Sequence, residues 1–341
     1  MSVTIKDVAK RAGVNASTVS RALSGKVVVN KETKEKILAA VKELNYQPNA
    51  FAKGLKEGKS NTVGLIVPNI RDLVFPAAIR GISDVLEQHG YTLILCNTDE
   101  SIETEMMHVE NLRNRLVDGL IFSTARKESK HLLELKENGF PVVLLLRHLE
   151  DEIDAVIIDN FKGGYDATSF LIQQGHRNIA IVNGNMNLSL YQERFEGYKA
   201  ALKDAGLKVN KDLVIDDIKS WECSYQAVST LMTSGNMPDA IFATSDPKAL
   251  GVIRALKDKG FSVPADISVI GFDNIDMAEV IDPPLTTVAQ PFYDAGLLAA
   301  KRLIKLMNSK RKLKPVVEKL EANLLVRSSV KVTNQANDYT A

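Results

Sequence analysis

The apolar residues near the start of the chain recur with helical spacing and predict two short helices. The first has an apolar stripe at i, i+3, i+4 and i+7, formed by Ile5, Val8, Ala9 and Ala12. Gly13 can end this helix, and Asn15 can cap a second helix that packs Val19 and Leu23 against the first. Two short helices joined by a glycine-containing turn are typical of the helix-turn-helix unit, whose second helix enters the major groove of DNA.

A third helix is predicted from about residue 31 to residue 44, with Asn30 as its N-cap. Its apolar residues Ile37, Val41 and Leu44 would close a core over the first two helices. Residues 1–47 are therefore predicted to form a small helical DNA-binding domain.

From residue 62 onward, the pattern changes to continuous apolar runs separated by amphipathic helices. The runs are 63–67, 91–95, 119–122, 142–146, 179–182, 240–243 and 269–272, and the helices between them include 77–89, 104–114 and 194–205. Continuous apolar strands are buried on both faces, which is typical of a parallel sheet with crossover helices. About 280 residues are too many for one small sheet, so we predict two doubly wound parallel-sheet α/β lobes with a ligand cleft between them.

The charge of the chain is divided unevenly. Residues 1–60 contain 12 Lys and Arg against 5 Asp and Glu, whereas the whole chain has a net charge of only +1. A basic head on an acidic body is typical of a protein that neutralises phosphates with one end. This asymmetry argues against the alternative, a structural helix pair that opens an enzyme.

Three side chains at the start of the second helix are candidates for DNA base contacts: Ala16, Ser17 and Arg21. Arg21 can donate two hydrogen bonds to guanine, whereas Ala16 offers an apolar contact and Ser17 a single hydroxyl. The candidates for phosphate contacts, which position the protein without reading sequence, are Thr4, Ser20, Asn30 and Lys31.

The stretch from Thr4 to Arg21 resembles the T-x-x-D-V-A-x-x-A-G-V-S-x-x-T-V-S-R pattern of the LacI/GalR family of bacterial transcription regulators, with Asn15 in place of Ser. Residues 45–55, NYQPNAFAKGL, are similar to the hinge of that family. The similarity continues through the body nearly to residue 330, and it implies a periplasmic-binding-protein-like core.

The resemblance implies that two hinge segments pair as helices across a homodimer and bend the operator by inserting Leu55 into the minor groove, with Ala52 and Lys53 beside it. A flexible linker is the alternative, because Gly54 and Gly58 weaken a helix. Both can hold if the linker folds only in the bound dimer.

The resemblance also implies the domain organisation. We expect the DNA-binding domain at 1–47, the hinge at 48–60, an effector-binding and dimerisation core at 61–330 and a disordered tail at 331–341. The N-lobe is expected at about 61–160 plus 292–320, and the C-lobe at about 161–290 plus 321–330.

An effector site between the lobes is the next implication of the resemblance. Arg194 corresponds to the arginine of the family's R-x-x-G-[FY] motif and Asp273 to the aspartate of its G-[FY]-D motif, a pair that suits the hydroxyls of a polyol. The other candidate effector-binding residues are Phe75, Arg147, Trp221, Asp246 and Gln290. The alternatives are a loop-tying salt bridge for Arg194 and Asp273, a surface ion pair for Arg147 and a core position for Trp221.

Two departures from the family pattern bear on the class of effector. Leu146 stands where many sugar-binding members have Asp, and Leu188 and Leu190 stand where purine-binding relatives are polar. A purine corepressor is therefore disfavoured, whereas Arg147 together with Arg194 leaves a sugar acid open.

Nothing in the sequence indicates a cofactor, a metal site or a membrane segment. The chain has two Cys without C-x-x-C or His/Cys metal spacing, no signal-peptide pattern and no apolar run of about 18 residues. We therefore expect a cytoplasmic, nucleoid-associated protein.

The sequence predicts a ligand-responsive repressor of a carbohydrate or sugar-acid operon that binds a palindromic operator as a homodimer. The alternatives are a catabolite-type regulator controlled by a partner protein, a solute-binding protein for a transporter and an enzyme of sugar metabolism. The basic head argues against the solute-binding protein, and the sequence has no phosphate loop or nucleophile elbow to support the enzyme.

Overall fold

The computed structural model describes residues 3–24, 29–46, 59–149 and 152–332. The chain splits into two compact units, Met1–Ser60 and Asn61–Ala341. The predicted hinge residues Ala52, Lys53 and Leu55 lie outside the described residues, as does the predicted tail beyond residue 332.

Within its described residues, the first unit contains three helices: α1 (Ile5–Ala12), α2 (Ala16–Ser24) and α3 (Lys31–Glu43). Thr4 and Asp7 form a capping box at the start of α1, and Gly13 ends that helix with a φ of 68°. The Asn30 side chain accepts a hydrogen bond from the Glu32 amide, which caps α3 as predicted. These caps explain why such short helices begin and end where they do.

The core of this unit is built from one large residue of each helix. Val8, Val19 and Ile37 are fully buried, and alanines from all three helices pack beside them. Two expectations need correction, because Val41 and Leu44 are only partly buried, whereas Ala22 and Ala40 belong to the core. Small residues let the three helices approach closely, which periodicity alone does not reveal.

The second unit contains two six-stranded sheets. The N-lobe sheet has the order β11-β5-β4-β3-β1-β2, and all of its neighbouring strands are parallel. Its strands are β1 (Thr62–Val67), β2 (Thr92–Asn97), β3 (Gly119–Phe122), β4 (Val142–Leu145), β5 (Asp154–Ile158) and β11 (Val317–Leu320). Its helices are α4 (Phe75–Gln88), α5 (Ile102–Asn114), α6 (Lys130–Glu137) and α12 (Phe292–Asn308).

The C-lobe sheet has the order β12-β10-β9-β8-β6-β7, and only its edge strand β12 is antiparallel. Its strands are β6 (Ile179–Val182), β7 (Val214–Ile215), β8 (Ala240–Ala243), β9 (Ser268–Asp273), β10 (Thr286–Ala289) and β12 (Asn323–Leu325). Its helices are α7 (Asn160–Gln173), α8 (Ser189–Asp204), α9 (Trp221–Leu231), α10 (Asp246–Asp258) and α11 (Met277–Val280), with a 3₁₀ turn at Lys211–Leu213.

Helices cover both faces of each sheet. One hydrophobic cluster joins the N-lobe sheet to α4 and α12, and a second joins its other face to α5 and α6. Two further clusters bury the faces of the C-lobe sheet in the same way. The predicted fold class, two doubly wound parallel-sheet lobes preceded by a helical head, is confirmed.

The chain passes between the lobes three times, between β5 and α7, between β10 and α12 and between β11 and β12. The predicted helix 194–205 was wrong at its start, because α8 begins five residues earlier at Ser189. None of the helices in the described ranges is long and apolar enough to span a membrane.

Candidate DNA-binding and effector sites

The second helix of the head presents a small polar surface. Ser17 and Arg21 are exposed one turn apart, and the Arg21 Nε donates to the Ser17 carbonyl at 3.2 Å. Ala16, predicted to face outward with them, is half-buried and packs against the head core. The surface available for base contacts is therefore dominated by Arg21.

The candidate phosphate-binding side chains differ in the hydrogen bonds that they already make within the head. The Thr4 hydroxyl donates to Asp7 Oδ2 at 2.7 Å, and the Asn30 Oδ1 accepts from the Glu32 amide at 3.0 Å, so both side chains serve as caps. Lys31 is exposed at the start of α3, and Ser20 is half-buried on α2. Of these four, Lys31 carries the only charge that a phosphate would attract.

A buried polar network beside the lobe crossings is organised around Arg194. This side chain is only 4% exposed; its Nε donates to Asn160 Oδ1 at 2.9 Å and its Nη1 to the Thr244 carbonyl at 2.5 Å. Its guanidinium stacks 3.7 Å from the centre of the Phe272 ring. Gly164 allows this placement, because a Cβ there would collide with the Arg194 backbone where α7 and α8 cross.

Asp273 connects Arg194 to the crossing between the lobes. Its Oδ1 lies 3.8 Å from Arg194 Nη1 and accepts a hydrogen bond from Gln290 Nε2 at 2.5 Å. Its backbone φ is 125°, which is strained for a residue with a side chain and typical of functional positions. Asp273 therefore contacts both of the other sequence-predicted residues, Arg194 and Gln290.

Asp246 lies beneath this group and is completely buried. It accepts hydrogen bonds from the Thr287 hydroxyl at 2.6 Å and from the Ile275 amide at 2.9 Å. Burial first, and the charge of Asp273 second, raise the pKa of Asp246 to about 8, while burial raises the pKa of Asp273 to about 6. Asp246 thus ties loops of the C-lobe together and carries a proton near neutral pH.

On the N-lobe, Arg147 is buried and forms a two-bond ion pair with Glu100. Its Nη2 lies 2.5 Å from Glu100 Oε1, and its Nη1 lies 3.1 Å from Oε2. Arg126 approaches the same carboxylate at 3.6 Å. The geometry matches the ion-pair alternative for Arg147, but in a buried rather than a surface position.

Phe75 and Trp221 are separated from this polar network. Phe75 is buried in the N-lobe core, whereas Trp221 is half-exposed at the start of α9, so the core alternative for Trp221 was wrong. No described contact links either ring to Arg194 or Asp273. Their effector roles stay predictions.

Two family models match the chain. Residues 4–49 match the bacterial regulatory proteins of the lacI family, and residues 60–321 match the periplasmic binding proteins and sugar binding domain of LacI family. The chain belongs to the LacI family.

Relatives of known name match over nearly the whole chain. Catabolite control protein A of Priestia megaterium is 38% identical over 310 residues, which cover 90% of this chain and 93% of that protein. The HTH-type transcriptional repressor PurR of Vibrio campbellii is 37% identical and covers 97% of this chain and 99% of its own. The Lac repressor dimer bound to operator and the anti-inducer ONPF has a TM-score of 0.87 at 26% identity, covering 96% and 99%.

This LacI-family chain is a DNA-binding transcriptional regulator with an effector-binding domain, not an enzyme. Leu146 has a φ of 63° and packs against core residues of both lobes. Hydrocarbon therefore fills the place where many sugar-binding members of the family present a carboxylate.

The buried charged residue that sequence reasoning missed in this LacI-family chain is Lys248. The residue is only 4% exposed, and its ammonium donates to the Tyr191 and Ser245 hydroxyls, both at 3.1 Å. The available signal was a lysine placed two residues after Asp246, on the first turn of an otherwise buried helix face.

A cavity of about 480 Å³ opens between the lobes on another side of the cleft. Arg126, Lys130 and His148 line it from the N-lobe, and Leu188 and Gln192 line it from the C-lobe. None of the predicted effector residues lines this cavity, so it is distinct from the buried network around Arg194.

Proposed function

We propose that the protein is a homodimeric repressor of a carbohydrate or sugar-acid utilisation operon, acting on a palindromic operator in the bacterial cytoplasm. The observation that carries this proposal is the contact of Arg194, Asp273 and Gln290 within the cleft. Carboxylate and amide oxygens accept from sugar hydroxyls, while a guanidinium donates to them. The match of residues 60–321 to a sugar binding domain supports the same class of effector.

The exposed surface of the head supports operator binding. Ser17 and Arg21 would face base edges, and Lys31, Ser20, Thr4 and Asn30 would lie along the phosphates. The hinge residues Ala52, Lys53 and Leu55 would add minor-groove contacts. Because Arg21 is the only candidate able to make a two-bond contact with a base, specificity would also depend on half-site spacing.

Exposed apolar side chains on both lobes support a homodimer. They are Ile70, Leu73, Leu95, Met106, Met107 and Leu116 on the N-lobe and Trp221, Met277 and Val280 on the C-lobe. Leu95 lies on the edge strand β2, where an uncovered apolar residue favours contact with a second copy. The Lac repressor, a structural neighbour, forms a dimer on its operator.

The proposed mechanism couples the cleft to the hinge through the lobe crossings. Asn160 and Gln290 stand at two crossings, and each is bonded to a polar residue of the cleft. An effector that competes for Arg194 or Asp273 would change the relative angle of the lobes and hence the spacing of the two hinges. Whether it weakens or strengthens DNA binding depends on its relative affinity for the two states.

A second candidate is a catabolite-type regulator whose DNA affinity is set by a partner protein. Its support is the 38% identity to catabolite control protein A along nearly the full chain. A pull-down with the bacterial phosphocarrier protein, in its phosphorylated and unphosphorylated forms, separates the two candidates. Binding that raises operator affinity without any sugar would favour the second.

The experiment that tests the first candidate is selection of binding sites from random DNA with the full-length protein, followed by a screen of sugars and sugar acids for release or tightening. We expect a palindrome whose half-site centres lie about one helical turn apart. We also expect log affinity to fall steeply and linearly with log salt. An asymmetric site, or affinity that no carbohydrate alters, would contradict the proposal.

A further inference from the structure

The Lys248 ammonium is a buried cation with neutral partners. The residue Lys248 is 4% exposed, and the two hydrogen-bond acceptors of its ammonium are the hydroxyls of Tyr191 and Ser245. It also lies 4.4 Å from the centre of the Tyr191 ring. Within the part of the chain that the structure describes, no carboxylate forms an ion pair with it. A buried charge without a counter-charge costs several kcal/mol, so its presence needs a reason.

The other two buried cations of the cleft are compensated. Arg147 is held by Glu100, and Arg194 faces Asp273 at 3.8 Å. Asp273 and the exposed Asp72 lie within electrostatic reach of Lys248, but neither contacts its ammonium. The positive charge of Lys248 is therefore the one least balanced among the described cleft residues.

Tyr191 adds a second donor at the same point. Its hydroxyl oxygen accepts from Lys248 Nζ, which leaves the phenolic hydrogen to donate elsewhere. An ammonium and a phenol side by side, against an aromatic ring and close to Arg194, suit an anionic group attached to a hydroxylated body. The hydroxyls would then lie toward Asp273 and Gln290.

Resting on the proposed function, we infer that the effector is an anionic polyol whose acid group binds Lys248 and Tyr191. The acid group is a carboxylate or a phosphate monoester. This inference assigns recognition of the acid group to Lys248 rather than to Arg147, whose two terminal guanidinium nitrogens already bind Glu100. The inference also explains why a lysine is buried here: the buried charge lowers the stability of the fold but provides affinity for the effector.

The test compares acidic and neutral probes on the full-length protein by calorimetry and thermal shift. The probes are glucose against glucuronate and glucose 6-phosphate, galactose against galacturonate and galactose 6-phosphate, and ribose against ribose 5-phosphate. We expect at least one acid to bind about tenfold or more tighter than its neutral parent, because a charge-assisted bond would be gained. The carboxylate and phosphate arms identify the acid group.

The variants are Lys248→Met, Tyr191→Phe and, as the matched control, Lys257→Met at an exposed position of the same helix. Lys248→Met should lose about tenfold to a hundredfold of the affinity for the acid and none for the neutral parent. Without any ligand, it should melt at the same or a higher temperature than wild type, because an uncompensated buried charge is removed. Lys257→Met should change neither value.

Three results would overturn the inference: equal binding of acid and parent, no binding of any acidic probe to wild type, or a marked fall in melting temperature for Lys248→Met. A neutral sugar that binds and alters operator affinity would leave the proposed function standing while this inference falls. If the DNA site selected by the protein is not palindromic, the proposed function fails instead, so the two failures are distinguishable.

Discussion

The DNA-facing surface of the head and the effector cleft of the core hold their polar side chains in opposite ways. On α2, Ser17 and Arg21 are exposed. In the cleft, Arg194, Asp246 and Asp273 are at most 5% exposed, and each is bonded to residues from other elements. The polar side chains of α2 are exposed to solvent, whereas those of the cleft are buried in hydrogen bonds to other elements.

This difference indicates how a small ligand could act on a large assembly. In the proposed mechanism, an effector that binds Arg194 or Asp273 competes with the contacts that these side chains make to Asn160 and Gln290 at the lobe crossings. Exchange at such points favours one arrangement of the lobes over another. The polar side chains of α2 are exposed rather than buried, which suits the head as the output and the cleft as the input.

Replacement of Arg194 by Met should give the largest effect. It leaves the carboxylate of Asp273 buried without its cation, and breaking a buried pair in this way typically costs about 3–5 kcal/mol. The measurement is urea unfolding of the full chain, followed by the fluorescence of Trp221. Because Trp221 is the only Trp and lies in the core unit, this signal reports on that unit and not on the head.

The matched control is Arg254→Met, an exposed arginine of α10 paired with Asp258, which should cost less than about 1 kcal/mol. Equal stability of the two variants would mean that the buried contacts of Arg194 do not stabilise the core. The contrast between the buried contacts of the cleft and the exposed side chains of the head would then disappear.

Sequence reasoning succeeded where the pattern is local. The capped helices of the head and the apolar strands could be predicted in this way, whereas only the family resemblance brought Arg194 and Asp273 together. The short strands β11 and β12 could not, because VEKL and NLL have no apolar run and are defined by pairing with strands far away in sequence.

The partners of the cleft residues escaped prediction for the same physical reason. Arg147 meets Glu100 from another loop, and Lys248 meets Tyr191, 57 residues away. Such pairs depend on how two or three elements pack, and no local spacing encodes that. Arg21, by contrast, needs only its own helix to be placed correctly.

Replacement of Arg21 by Ala sharpens the comparison from the side of the head. A two-bond contact with guanine is worth about 1–3 kcal/mol, so we expect a loss of roughly 5-fold to 150-fold in affinity for the selected operator. Core stability should not change, because Arg21 is exposed and belongs to the first unit, Met1–Ser60, rather than to the core unit. The measurement is an equilibrium binding titration against the operator and against scrambled DNA.

Lys31→Ala is the comparison variant for Arg21→Ala. It should weaken binding to operator and scrambled DNA alike and lower the slope of log affinity against log salt by about 0.9, as expected when one phosphate contact is lost. If Arg21→Ala weakened both DNAs equally, Arg21 would be a phosphate contact and the head would read bases less directly than proposed.

The pH dependence of core stability provides a smaller, more selective test of the interlocked cleft. The raised pKa of Asp246 means that the folded state keeps a proton that the unfolded chain releases above about pH 4, so stability falls as pH rises toward about 8. Between about pH 6.5 and about pH 7.5, the free energy of unfolding of wild type should fall by up to about 1.4 kcal/mol more than that of Asp246→Asn.

This pH window lies above the pKa of Asp273, about 6, and the same histidines are present in both proteins. Asp258→Asn, at an exposed position of α10, should retain the wild-type slope. Parallel curves for wild type and Asp246→Asn would show that Asp246 is ionised in the folded protein, and the cleft would then hold its charges much as the exposed head does.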